Sequence, residues 1–269
     1  MIIQSVKDPL FRQYTGRKTL IISLVTSLLL IGLWWFVTAM GWVKPLFLPS
    51  PGQIVNKLGE LSSTGFANST LWEHAQASLF RVFSAFALAC LTAIPIGIFM
   101  GIHDLVKGIL DPVIEFYRPL PPLAYLPLII IWLGIGETAK IVLIYLAVFA
   151  PVCLSTRAGV RSVAREKVLA AATLGASRAQ IIRHIVFPGA LPEILTGMRV
   201  GIGFGWTTLV AAEMVAATAG LGFMVLNAKD FLATDVVLTG IIVIGGIAYG
   251  FDMIMRLMER WLVPWKGQE

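Results

Sequence analysis

The chain has 269 residues, of which 57% are apolar and 13% charged, with a net charge of +6 and a mean hydropathy of +0.83. So few charges cannot cover the surface of a soluble fold, which excludes a soluble enzyme, a disordered tail and a nucleic-acid-binding domain. The solvent for most of the chain is lipid.

The first span candidate is the uncharged run Thr19 to Met40. A signal peptide is the competing reading, since Val37 and Ala39 are small; the length and the pair Trp34, Trp35 favour an uncleaved anchor. Ser50-Pro51 then reads as an N-cap and first-turn proline opening a short surface helix. Thr70 to Glu73 fits a capping box. A helix from Thr70 to Gly101 would be about 47 Å long, more than the hydrocarbon core, so its first turns stand outside and Arg81 falls near the outer interface. Its membrane part, Val82 to Ile102, carries a stripe of Ala85, Ala89, Ala93, Gly97 and Gly101 for close helix packing, within the chain or between copies.

The third span, about Pro119 to Gly136, is broken at its entry by prolines 112, 119, 121, 122 and 127. Broken backbone at membrane depth must lie inside an assembly or beside water. Gly134-Ile135-Gly136 turns the chain into the fourth span, Ile141 to Thr156. The fifth, Leu195 to Ala219, carries the matching stripe Gly197, Gly201, Gly205, with Arg199 and Glu213 inside it. Its Gly201 to Gly205 run mimics part of a dinucleotide loop, but no strand precedes it. The sixth is Val236 to Phe251. Fifteen of the 21 basic residues fall on the face that holds both termini and four on the other, which predicts cytoplasmic termini.

Arg161 to Pro192 is the longest polar stretch, and it reads as helix, glycine turn, helix. The first helix covers Val163 to Leu174, Gly175 takes the left-handed position, and Ser177 with Gln180 caps the second, which Pro188-Gly189 stops. Small residues on such an elbow permit a partner surface to dock closely; a folded loop without a partner is the other reading. Cys90 and Cys153 read as buried thiols, and the three histidines are too scattered for a metal site. No P-loop exists, so ATP, if used, binds elsewhere. A carboxylate at membrane depth is a functional-site candidate by default, which singles out Glu213, with Trp206 about two turns earlier. Glu213 also admits a plain helix-bundle hydrogen bond, or ion coupling in a secondary transporter; a membrane hydrolase lacks any nucleophile–base pair.

At the elbow the chain resembles permease subunits of ABC importers, which carry E-A-A, three residues, Gly, nine residues, I-x-L-P. Ala170, Ala171, Gly175, Ile185 and Pro188 hold those spacings, while Leu169 replaces the Glu and Phe187 the Leu. Arg118 to Ala124 and Trp132 to Thr138 look like the taurine, aliphatic sulfonate and nitrate branch; Gly220 to Met224 and Phe231 to Val237 look most like taurine permeases. The resemblance implies an all-α, type I importer (MetI-like) membrane fold of about six spans. It implies a cytoplasmic tail 1–18, one transmembrane domain 19–258 with a coupling loop at 161–190, and a tail 259–269, in the bacterial inner membrane. It further implies a second copy of this chain, two ATPase subunits carrying ATP and Mg, a periplasmic binding protein, and no cofactor in this chain. Leu169, Ala170, Ala171, Gly175, Ala176, Ser177, Ile185 and Pro188 would dock the ATPase, and Glu213 with Trp206 would line or gate the path.

Overall fold

The computed structural model describes residues 16–265, so the basic residues counted at Lys7, Arg12 and Lys266 lie outside the described residues. The chain builds α1 (Gly16–Ala39), α2 (Pro51–Ser63), α3 (Leu71–Ile102), α4 (Asp104–Tyr117), α5 (Pro122–Leu133), α6 (Glu137–Ser162), α7 (Arg165–Thr173), α8 (Arg178–Ile181), α9 (Phe187–Ala216), α10 (Leu221–Asp230) and α11 (Thr234–Leu262). A wide π-helical turn, Ile182–Val186, joins α8 to α9. Among the described residues five helices are long and apolar enough to cross a membrane, or six if the bent pair α4–α5 counts as one span.

Local signals set the starts. Ser50 accepts the Gln53 N–H and Gln53 returns the bond, and Thr70 and Glu73 do the same for α3. These exchanges satisfy donors that an open helix end would leave orphaned. Gly134 turns the chain at φ +77° between α5 and α6.

α6 is the centre of the bundle, with α3 on one side and α9 on the other. Ala85, Ala89 and Ala93 are fully buried. A Cβ on Gly97 would stand 2.6 Å from the Cys153 carbonyl, and one on Gly101 2.5 Å from Val160. On the other side, Gly197 meets Ser155, Gly201 meets Val152, and Gly205 meets Val148. Both small-residue stripes therefore face α6 within this chain, where dispersion contacts between close backbones replace the hydrophobic effect that lipid cannot supply.

The third span departs from its expected form. α5 has 12 residues and cannot cross the core alone. α4 and α5 together have the length and apolarity of one span, bent by 106° at the break. Asp104 on α4 pairs with Arg161 on α6 at 2.9 Å, and Asp111 pairs with Arg157. The expected stop at Pro188-Gly189 is also corrected: one helix runs from Arg178 to Val215. Proline lacks the N–H and crowds the preceding turn. The π-helical turn widens the backbone just before it, with the Phe187 N–H reaching Ile182 O, so the helix bulges instead of ending.

α1 stands apart from the bundle, tied by the Trp34 indole N–H to Pro49 O at 3.0 Å. Lys57 on α2 pairs with Asp235 at the start of α11, at 3.1 Å. Arg199 on α9 meets Asp252 of α11 at 2.8 Å, and Asp252 holds Arg256 as well.

Candidate functional sites: an elbow and a buried latch

The elbow forms at one end of the bundle. α7 ends in a left-handed glycine, Gly175 at φ +82°, with nothing within 4 Å of where its Cβ would be. The Ala176 N–H reaches Ala171 O and the Gly175 N–H reaches Ala172 O, each at 3.0 Å, which closes the helix end with the paired bonds of a Schellman turn. Ser177 then caps α8 through a reciprocal bond pair with Gln180. Every residue of α7 keeps solvent exposure, and Leu169 and Leu174 are 52% and 88% exposed. Ala170 is exposed and Ala171 half-buried, while Ile185 and Pro188, half-buried, line a cleft at the base of the elbow. The local chain is stiff and its outer face carries uncovered leucine.

At the other end, by α6's first turn, the structure brings Glu213 into a closed polar knot. Glu213 is fully buried. Its Oε1 accepts from Arg81 Nη1 and from the Ser78 hydroxyl, both at 2.7 Å. Its Oε2 accepts the Gly222 N–H at 2.7 Å, at the positive end of α10. Arg81 also grips Glu137 by two bonds of 2.6 and 2.8 Å, and donates to the Ala219 carbonyl at 2.7 Å. Lys140 completes the group on Glu137 at 2.8 Å. Two cations thus face two carboxylates, and the net charge of the knot is zero.

The same knot fixes the segment between α9 and α10. His74 Nδ1 accepts the Gly220 N–H at 3.0 Å, so Nε2 carries the proton and donates to Phe66 O. Ser78 Oγ accepts the Leu221 N–H at 2.8 Å. Gly220 holds φ +142°, and a Cβ there would strike Glu213 Cδ at 2.4 Å, so only glycine lets the turn close over the carboxylate. The latch therefore spans α3, α6, α9 and α10.

Trp206 lies one face away. It is 6% exposed within the core packed on α6, and its indole N–H has no partner among the described residues. Glu213 and Trp206 do not touch the cavity between α5, α6 and α9 in this conformation. Sequence reading missed the partners of Glu213. A signal existed: Arg81 and Glu213 are opposite charges placed in two different spans, where neither is tolerable alone. Among the described residues no group of three or more His, Cys, Asp or Glu could hold a metal.

Comparison with known proteins follows from this geometry. The family model described as "binding-protein-dependent transport system inner membrane component" matches residues 93–265. The taurine transport system permease protein TauC of Escherichia coli K12 is 54% identical over 97% of this chain and 93% of its own length. The putative aliphatic sulfonates transport permease protein SsuC of the same organism is 34% identical, covering 88% of each chain. The nitrate import permease protein NrtB of a Synechocystis strain is 31% identical over 81% of each. Among solved structures, a chain of the inward-facing MetNI methionine ABC transporter superposes with a TM-score of 0.63 at 17% identity, over 71% of this chain and 95% of that one. That likeness is one of fold alone.

Proposed function

The chain belongs to the inner membrane components of binding-protein-dependent transport systems, and from that premise we propose that it is the pore-forming subunit of an ATP-driven importer for taurine or a related small sulfonate. The near full-length match to TauC carries this reading. Two copies form the path about a two-fold axis, two ATPase subunits sit beneath, and a periplasmic binding protein delivers the solute from above. Both termini lie in the cytoplasm, in keeping with the distribution of basic residues. ATP binds and is hydrolysed on the partner; this chain contributes no catalytic group.

The elbow is the lever. A partner surface that seats α7 and Gly175 pushes a stiff turn joined to α9 through the π-helical turn and braced on α6. Rigid-body shifts of this kind switch a bundle between inward and outward openings. Glu213 acts as a gate through its latch: the turn over Gly220 stays shut while the carboxylate is held by Arg81, Ser78 and Gly222. Trp206, packed two turns away with its N–H unused, re-packs as the path opens.

The reading is tested by deleting the gene and growing the strain on taurine, longer alkanesulfonates or sulfate as sole sulfur source. Loss of growth on taurine alone is expected. Normal growth on taurine, or loss on longer sulfonates only, contradicts the taurine assignment. SsuC and NrtB relatives support sister substrates as the second reading.

A further inference from the structure

Between the α4–α5 bend, α6 and α9 lies an open cavity of about 730 Å³. Its depth follows from α5. With 12 residues the helix rises about 18 Å from Pro122 to the turn at Gly134, against a hydrocarbon core of about 30 Å. Arg118, four residues before Pro122, stands at the break between α4 and α5, on the side that leads to the face holding both termini. Its side chain is 57% exposed, and its nearest acid, Glu115, is 3.6 Å away, too far for a firm hydrogen bond. An exposed guanidinium beside apolar helices is tolerable where it meets water, and broken backbone is tolerable for the same reason.

Carboxylates line the cavity too: Glu115 beside Arg118, and a second one on α9. Glu193 on α9 lines the cavity and makes no ion pair among the described residues. It fits beside α6 because residue 159 is glycine: a Cβ there would lie 2.7 Å from that of Glu193. One further feature favours an anion on the Arg118 side. The positive end of α5 opens there, and the body of Tyr117 lines the cavity while its hydroxyl is sealed from solvent.

We propose that this cavity is a transit site for a small zwitterion, with Arg118 taking its anionic head and Glu193 its ammonium. The inference rests on the import reading above and adds a ligand chemistry and residues to it. The cavity is several times larger than such a solute, so the contacts are weak and water-shared. A conducting path needs that, because tight binding would block exit.

The test uses the permease–ATPase complex, purified without the binding protein, and saturation-transfer NMR with two probes: taurine, and ethanesulfonate, which lacks the ammonium. The unsubstituted complex is expected to give a taurine signal. Arg118→Gln is expected to lose the signal of both probes, Arg118→Lys to keep part of the taurine signal, and Glu193→Gln to lose taurine but not ethanesulfonate. Should Arg118→Gln fail to assemble, the probe ratio in Glu193→Gln decides. Unchanged signals in Glu193→Gln overturn the site, as does a silent unsubstituted complex that still imports taurine in proteoliposomes with ATP and binding protein. A complex that imports no taurine there overturns the import reading, and this site with it.

Discussion

Glu213 shows how a single side chain can be costly and kept. Burying its carboxylate is unfavourable until Arg81, Ser78 and the Gly222 N–H meet it. Breaking a buried pair leaves an uncompensated charge and costs about 3–5 kcal/mol. Glu213→Ala is therefore expected to lower the thermal unfolding midpoint in detergent markedly. Arg81→Met with Glu213→Leu should recover much of that loss, because both charges leave together; a double-mutant cycle measures the coupling. As a gate, Glu213 makes a sharper demand. Both Glu213→Gln and Glu213→Ala should impair transport and the stimulation of ATP hydrolysis by loaded binding protein. Variants with unchanged transport and stimulation would remove Glu213 from the gate. The sequence marked Glu213 because a lone acid in lipid is conspicuous. It left the partners hidden, because Ser78 and Arg81 lie more than 130 residues away and no periodicity reports such distances.

At the scale of elements, the elbow and the packing stripes make separate predictions. Gly175 combines a left-handed backbone with open space around it. A bulky side chain there strains the turn by about 1–2 kcal/mol and blocks the face the ATPase would seat on. Gly175→Trp should insert in the membrane at normal levels yet fail to co-purify with the ATPase; normal co-purification contradicts the coupling role. Gly97 makes the opposite case, since a Cβ there meets the Cys153 backbone at 2.6 Å. Gly97→Val should cut the yield of folded protein sharply, read by size-exclusion chromatography, whereas Gly245→Ala, with nothing within 4 Å, should not. Helix starts at Ser50, Thr70 and Ser177 were legible because a capping box is written within four residues. The run through Pro188 was not, because a π-helical turn several residues upstream decides whether a proline ends a helix or only widens it. The 106° bend between α4 and α5 was half legible. The prolines announced a break, but not the pairs between Asp104 and Asp111 on α4 and Arg161 and Arg157 on α6 that accompany the bend.

The whole molecule divides its few charges among three places. Besides the pairs that tie helices together, one group neutralises itself in the latch, one lies on the elbow face, and one, Arg118 with Glu193, borders the cavity between them. Membrane crossing and the all-α class were legible from composition, since long apolar runs in lipid permit only helices or barrels. The order of packing around α6 was not, because both stripes of small residues could as well have met a second copy. If elbow, cavity and latch form one ATP-driven path, this chain alone transports nothing. The most direct measurement is taurine uptake into liposomes holding the purified chain, with and without the ATPase, binding protein and ATP. Uptake only with all three present is the predicted result; uptake by the chain alone, driven by an ion gradient, would contradict it.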